Sequence, residues 1–250
     1  MTRDESSLEK GLILLKAIAD DRGVTPFRDL AERMGIPLST AHRLLTALRN
    51  YGFVSHVGTG QYDLGFDLAL LAGDRSKVSI LAAVARPYLD SAARQFRMTM
   101  HLGVLEEGMV TYVVKSDGED SVNAADFTRE GMQLEAYCSA VGRVLLAELG
   151  PSERDDYLSD GPFIQLTSRT VTDPDALMKI LNKVSEKGYA EDDREIAENL
   201  WCLAVPVRSK GGNLVGAISV STSWSPERAY ASQAILNRLL GVACRIANRI

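Results

Sequence analysis

The stretch that most constrains this 250-residue chain is VTPFRDLAERMGIPLSTAHRLLTALRNYGFVSHVGTGQYDLG, residues 24–65. Phe27, Leu30, Ala31 and Met34 recur at helical spacing. They follow Thr25, a capping residue type, and Pro26, whose missing N–H costs nothing in a first turn. Gly35 supplies a turn, and Pro37 or Ser39 opens a second helix. In that helix Ala41, Leu44, Leu45 and Leu48 form one stripe for burial. The opposite face collects Ser39, Arg43, Thr46 and Asn50, with Thr40 and His42 on its flanks, and no acid occurs in residues 37–50. Two short strands about Gly58-Thr59-Gly60 follow. Two helices joined by a tight turn and followed by a hairpin make the pattern of a winged helix-turn-helix.

The polar face of the second helix has the side chains that major-groove reading uses. Arg forks onto guanine, Asn pairs with adenine, and Ser or Thr donates to a phosphate or base edge. An ordinary helical hairpin with a solvated face is the competing reading, but the turn spacing and the hairpin after it favour DNA. The wing carries His56 and neither Lys nor Arg, so its phosphate contacts fall to the backbone. Net charge works against a nonspecific nucleic-acid binder, being −5 for the chain. Residues 1–74 hold eight bases and ten acids. Affinity for double-stranded operator DNA must therefore come from local placement and from doubling the module in a dimer.

Hydrophobic content of 46% and charged content of 24% are those of a globular protein. No apolar run approaches the roughly 18–20 residues of a membrane span, and MTRDESSLEK is no signal peptide. A cytoplasmic protein without a membrane partner is expected. Cys138, Cys202 and Cys244 lack a Cys-x-x-Cys spacing, which argues against a disulfide framework or zinc site and for buried small hydrophobes. There is no P-loop, no Gly-x-Gly-x-x-Gly and no metal-ligand cluster, so neither cofactor nor metal is expected.

Ser6 and Glu9 form a capping box for a first helix running to about residue 20. Leu8, Leu12, Ile13, Leu14, Leu15, Ile18 and Ala19 spread too widely around it for one core stripe. Such a helix is covered on two sides, by its own domain and by a second subunit, or else by its own domain alone. A linker helix covers residues 64–72, and a long helix with a kink at Pro87 covers 76–96. Hairpins at 98–116 and 200–222 then alternate with helices at 139–149, from Pro151, and at 174–187 between Asp173 and Gly188. A strand at 189–191 leads into an acid-rich turn, and a last helix spans 226–250. The expected fold class is α+β, with a DNA-binding domain at 1–65, a linker helix at 66–75 and an antiparallel sheet with helices at 76–250.

The second domain shows an asymmetry between faces. Residues 214–222 put Gly216, Ile218 and Val220 on one face and Ala217, Ser219 and Ser221 on the other. The partner strand puts Trp201, Leu203 and Val205 on one side and Cys202 and Ala204 on the other. Two small faces side by side leave room for a ligand and offer hydroxyls to it, whereas a solvent-exposed face would carry Lys, Glu or Thr. Glu191-Asp192-Asp193-Arg194-Glu195 is a candidate rim or lid, or simply a solvated charge run. A Cys202–His101 dyad is conceivable, but no residue orients it and no oxyanion motif accompanies it.

Taken in order, GIPLSTAHRLLTALRNYGFV, QYDLG, CSAVGRVLLAEL, GYAEDDREIAENLWCLAVPV and VGAISVS resemble the IclR family of bacterial transcriptional regulators over nearly the whole chain. The resemblance implies a winged helix joined to a GAF-like effector domain, a homodimer or tetramer, and an organic acid or aromatic metabolite as effector. It implies effector contacts at Ala140 and Val141 through the backbone, and at Asp192, Cys202, Ser219 and Ser221. The chain departs from the family pattern at Asn199 (usually Gly nearby), Trp201 (often Arg) and Arg143 (usually Lys). Trp201 is expected beside the site. The rival classes are a redox sensor built on Cys138 and Cys202 and an enzyme using the cavity, neither with a supporting motif.

Overall fold

A computed structural model describes residues 6–72, 77–119 and 128–250. The chain divides into two compact units, 1–76 and 77–250. The expected stop of the linker helix at Gly73 and Asp74, and the expected start of the next helix at Ser76, lie outside the described residues.

The first unit runs α1 (Ser7–Asp21), α2 (Phe27–Arg33), α3 (Leu38–Asn50), β1 (Val54–Gly58), β2 (Gln61–Leu64) and α4 (Phe66–Ala72). The capping box forms: the Glu9 N–H donates to Ser6 Oγ at 3.2 Å, and the Ser6 N–H to Glu9 Oε2 at 2.7 Å. One expected cap does not: Pro26, not Thr25, stands at the cap of α2. Of Pro37 and Ser39, Pro37 takes the cap of α3, and both prolines have extended backbone and no side-chain cap bond. Proline's fixed φ suits a residue half inside the helix, and the Thr25 N–H is taken by Asp21 Oδ2 at 2.7 Å. Leu14, Ile18, Phe27, Leu30, Ala31, Ala41, Leu44, Leu45 and Val54 form the core. On α1 the other apolar side lies open, with Leu8 72%, Leu12 57% and Ile13 43% exposed.

The second unit runs α5 (Lys77–Phe96), β3 (Thr99–Glu106), β4 (Met109–Ser116), β5 (Gln133–Glu135), α6 (Ala140–Ala147), α7 (Pro151–Ser159), α8 (Pro174–Lys187), β6 (Ala190–Asp193), β7 (Leu200–Arg208), β8 (Leu214–Ser223) and α9 (Pro226–Ala247). The strands form one antiparallel sheet in the order β5-β4-β3-β8-β7-β6. β5 is too short to show periodicity, and β6 reaches into the acids expected to be a turn, pairing Asp192 with Cys202. α5 runs unbroken through Pro87.

Alternation along the strands feeds two cores. Met100, Leu102, Trp201, Leu203, Val205, Ile218 and Val220 pack with side chains of α5 and α9. Cys202, Ala204 and Ala217 pack with α6 and α8. Trp201 is thus 3% exposed on the far side of β7 from Cys202 and does not flank the cavity side, which corrects that expectation. The period of two puts adjacent residues on opposite faces.

α6 presses close to the segment before it. A Cβ on Gly142 would fall on the Ala136 backbone, which only glycine avoids. We expect Gly142→Ala to cost about 1–3 kcal/mol, the usual penalty of overpacking, seen as a lower urea midpoint. An unchanged midpoint would show that α6 has room to shift.

Candidate functional site

Two sites answer to the sequence. On α3, Ser39, His42, Arg43, Thr46 and Asn50 are exposed and Thr40 is half-buried, all around one side of the helix. Several are already engaged. Arg43 Nη2 donates to Ser7 Oγ at 3.1 Å, and Thr46 Oγ1 donates to the His42 carbonyl at 2.8 Å. The His42 ring stands 5.1 Å from that of Phe27. Arg49, in the last turn, lies 5.7 Å over the Tyr62 ring of the wing.

In the second unit, Ala140, Val141, Asp192, Cys202, Ser219 and Ser221 line one cavity. The sheet register explains the grouping: Cys202 pairs with Ser221, and Ala204 with Ser219, on neighbouring strands. His101 joins them because β3 pairs with β8, His101 opposite Ser219. The cavity is small, ≈ 10 Å³, about one water, so a larger ligand enters only by parting the walls.

Donors and acceptors are arranged unevenly around it. The Ser139 hydroxyl accepts the Gly142 N–H at 3.0 Å. The N–H groups of Ala140 and Val141 belong to the same first turn, where no helix carbonyl is in reach. Facing them, Asp192 is 0% exposed. Its Oδ1 accepts the Glu195 N–H at 2.7 Å, while Oδ2 has no hydrogen-bond partner. Burial, with Glu195 adding to it, raises the Asp192 carboxyl to about 7 against the lowering effect of the Glu195 N–H and of Arg143.

Behind Asp192, Arg143 is committed to Glu195. Arg143 Nη1 and Nη2 donate to Glu195 Oε1 and Oε2 at 2.5 and 2.6 Å, and Nε donates to the Tyr137 carbonyl at 2.9 Å. Glu195 Oε2 also accepts the Val171 N–H at 3.2 Å, and its carbonyl accepts Thr170 Oγ1 at 2.6 Å. Arg194, held at a φ of 65°, lays its guanidinium 3.8 Å over the Trp224 ring. The acid-rich segment is therefore a wall of the cavity, fastened on both sides, and not a solvated run.

The dyad considered from sequence does not assemble. Ser221 Oγ stands between the two groups, 3.2 Å from Cys202 Sγ and 3.5 Å from His101 Nδ1. Burial pushes the His101 imidazole down to about 3 and the Cys202 thiol well up, so both are held neutral. A thiolate nucleophile or redox-active thiolate is disfavoured there. Cys138 is also buried, and burial raises it to about 12. Among the described residues no group of three or more His, Cys, Asp or Glu is placed to hold a metal ion, and no helix is long and apolar enough to cross a membrane.

Sequence reasoning brought His101 to Cys202 only as a conceivable dyad, and missed Tyr112, Thr128, Leu134, Ser139, Ile196 and Leu200 as cavity walls. A lone histidine in an otherwise apolar strand was the one signal available, and it needs the β3–β8 pairing to become meaningful.

A helix-turn-helix with an open polar face, joined to a sheet that encloses a small polar cavity, defines the class of DNA-binding regulators with a ligand domain. Comparison with known proteins makes this specific. Residues 76–248 match the family described as "Bacterial transcriptional regulator IclR C-terminal", and residues 7–58 match "IclR helix-turn-helix domain". The HTH-type transcriptional regulator KdgR of Escherichia coli (strain K12) is 32% identical over 219 residues, covering 86% of this chain and 81% of KdgR. XynR of the same organism is 31% identical over 218 residues, covering 86% and 85%. An IclR homolog from Microbacterium hydrocarbonoxydans, solved in complex with 4-hydroxybenzoate, is 28% identical with a TM-score of 0.62, covering 97% of this chain and 98% of that one. The chain belongs to the IclR family and is a DNA-binding transcriptional regulator.

Two outcomes test the cavity wall. Breaking the buried pair with Glu195→Gln should cost about 3–5 kcal/mol in denaturant unfolding, and the double variant Arg143→Met with Glu195→Leu should cost less than the two single changes together. Strict additivity would mean that the pair is not coupled. Asp192 carries its proton to about 7 when folded and to about 3.9 when unfolded. The native state binds more protons between those values, so the Asp192 contribution to stability is present at low pH and is lost as pH rises through about 7. Melting temperatures of wild type and Asp192→Asn should therefore shift in favour of Asn from pH 5 to pH 8; a constant difference would contradict this.

Proposed function

We propose that this regulator binds operator DNA as a homodimer, or as a tetramer built from dimers, and releases or tightens its grip when a small organic acid or aromatic metabolite occupies the cavity. Ser39, Thr40, His42, Arg43, Thr46 and Asn50 form the reading face of α3. Two copies of it would enter successive major grooves about 34 Å apart. The open apolar side of α1, with Leu8, Leu12 and Ile13 exposed, supports doubling of the first unit. The domain plan that goes with this reading is DNA reading by 1–65, a linker at 66–75 and effector binding by 76–250.

In the cavity, the N–H groups of Ala140 and Val141 and the hydroxyls of Ser219 and Ser221 would receive the oxygens of a carboxylate. Cys202 would pack on the ligand, and Asp192 would meet it from β6. The observation that carries this reading is that all six residues line one cavity. The 4-hydroxybenzoate bound by a relative of the same fold supports a small aromatic or aliphatic acid as the class of ligand. Because the cavity is too small for such a ligand, binding must move its walls, and a ligand shifts a two-state equilibrium only by favouring one state. A typical coupling of about 1–3 kcal/mol changes DNA affinity by roughly 5–150-fold. Nothing in this account calls for turnover, and the cavity acts as a sensor.

A thermal-shift screen of small carboxylic acids, followed by fluorescence anisotropy on an operator fragment, tests the reading. Ser219→Leu, which fills the cavity, should abolish the response to the acid while leaving DNA affinity without ligand intact; loss of both would point to a folding defect. Arg43→Ala should weaken operator binding by about 1–3 kcal/mol, as expected for a bidentate base contact. Unchanged affinity would remove Arg43 from the reading face.

A further inference from the structure

The cavity has an imbalance that the organic-acid reading does not resolve by itself. Among the described residues that line it there is no lysine or arginine. The nearest guanidinium, Arg143, is 3% exposed and gives both terminal nitrogens to Glu195. That pair is neutral as a unit. An ionised Asp192 beside it would leave one uncompensated negative charge in a site with no exposure, and an anionic ligand would make two. Buried charge without a partner is costly enough that a group gives up its charge instead. Asp192 Oδ2 is also the buried oxygen with no hydrogen-bond partner, set in the wall of the cavity.

We propose, resting on the effector reading of this cavity, that Asp192 is its proton-carrying group: an anionic effector is received by Asp192 Oδ2–H, so one proton is bound with each anion. Each other titratable group around Asp192 is unable to take that part. Arg143 from α6 is a fixed cation committed to Glu195, and Glu195 is that cation's counter-charge. His101 from β3 is kept neutral by burial and by Lys115, and its Nε2 is engaged with Thr128 Oγ1 at 2.9 Å. Tyr112 from β4, Cys202 from β7 and Cys138 ahead of α6 are pushed upward by burial, and each is pushed further by the Asp192 charge. On β6 itself, Glu191 is exposed and Asp193 pairs with Arg169 and Arg194. The proton that neutralises an incoming oxyanion is left to Asp192. The consequence is a sensor that responds to acid concentration and pH together, binding its anion more tightly as the surroundings acidify.

The test is calorimetric titration of the full-length protein with benzoate and with lactate at pH 6, 7 and 8, each in phosphate and in Tris. Where one proton is taken up, affinity falls about tenfold per pH unit above the Asp192 midpoint, and the heat at pH 8 differs between the buffers by close to one proton's ionisation. Asp192→Asn, which carries a permanent N–H donor at that position, should bind with affinity that is flat from pH 6 to pH 8 and with no buffer dependence. Wild-type binding that is flat with pH, or that releases protons, overturns the proposal and leaves the effector reading standing. No binding of either acid at pH 6 overturns both. If the variant fails to fold, the wild-type slope and buffer dependence still decide.

Discussion

The interaction on which the second unit depends is the buried fork between Arg143 and Glu195. Arg143 rises from the first turns of α6, and Glu195 follows β6, 52 residues later in the chain. Their two parallel bonds fix the helix to the segment that carries Asp192, and further bonds extend from Glu195 to Thr170 and Val171. A planar guanidinium is suited to this because it meets a carboxylate with two bonds at once and still has Nε for the Tyr137 carbonyl. With its counter-charge supplied internally, the pair positions the cavity wall without lending the cavity any positive charge. The polarity of the site then comes from backbone N–H groups, hydroxyls and one carboxyl.

The small size of the cavity follows from the same architecture. Its walls come from all six strands of the sheet, from the start of α6, from Thr128 and from Ile196 after β6. The sheet side is rigid, since its far face is packed under α5 and α9 through Met100, Leu102, Leu203, Ile218 and Val220. The opposite side is held by polar fastenings: Glu195 to Arg143, Thr167 Oγ1 to the Arg194 carbonyl at 2.7 Å, and Arg194 over Trp224.

Much of this was legible along the chain. The stripe Ala41, Leu44, Leu45 placed α3, and Asp173, Pro174 and Gly188 bounded α8 to the residue, because periodicity and caps are local properties. The small polar face of β8 pointed to the cavity for the same reason. What escaped was non-local. His101 faces Ser219 only through β3–β8 pairing across more than a hundred residues, and Glu195 became part of the wall only when Arg143 met it. Trp201 was misplaced by proximity in sequence, although alternation already assigned it to the face opposite Cys202. The cap of α2 was misassigned by one position because proline serves both at the cap and in the first turn.

The central claim, that the cavity is the receptor through which a small acid controls DNA binding, is tested most directly by hydrogen–deuterium exchange on the full-length protein bound to its operator. The acid that most raises the melting temperature is added, and exchange is followed by peptide. The account predicts slower exchange at residues 139–142 and 190–202 together with altered exchange in residues 38–50. Protection confined to the cavity peptides, with α3 unchanged, would contradict it.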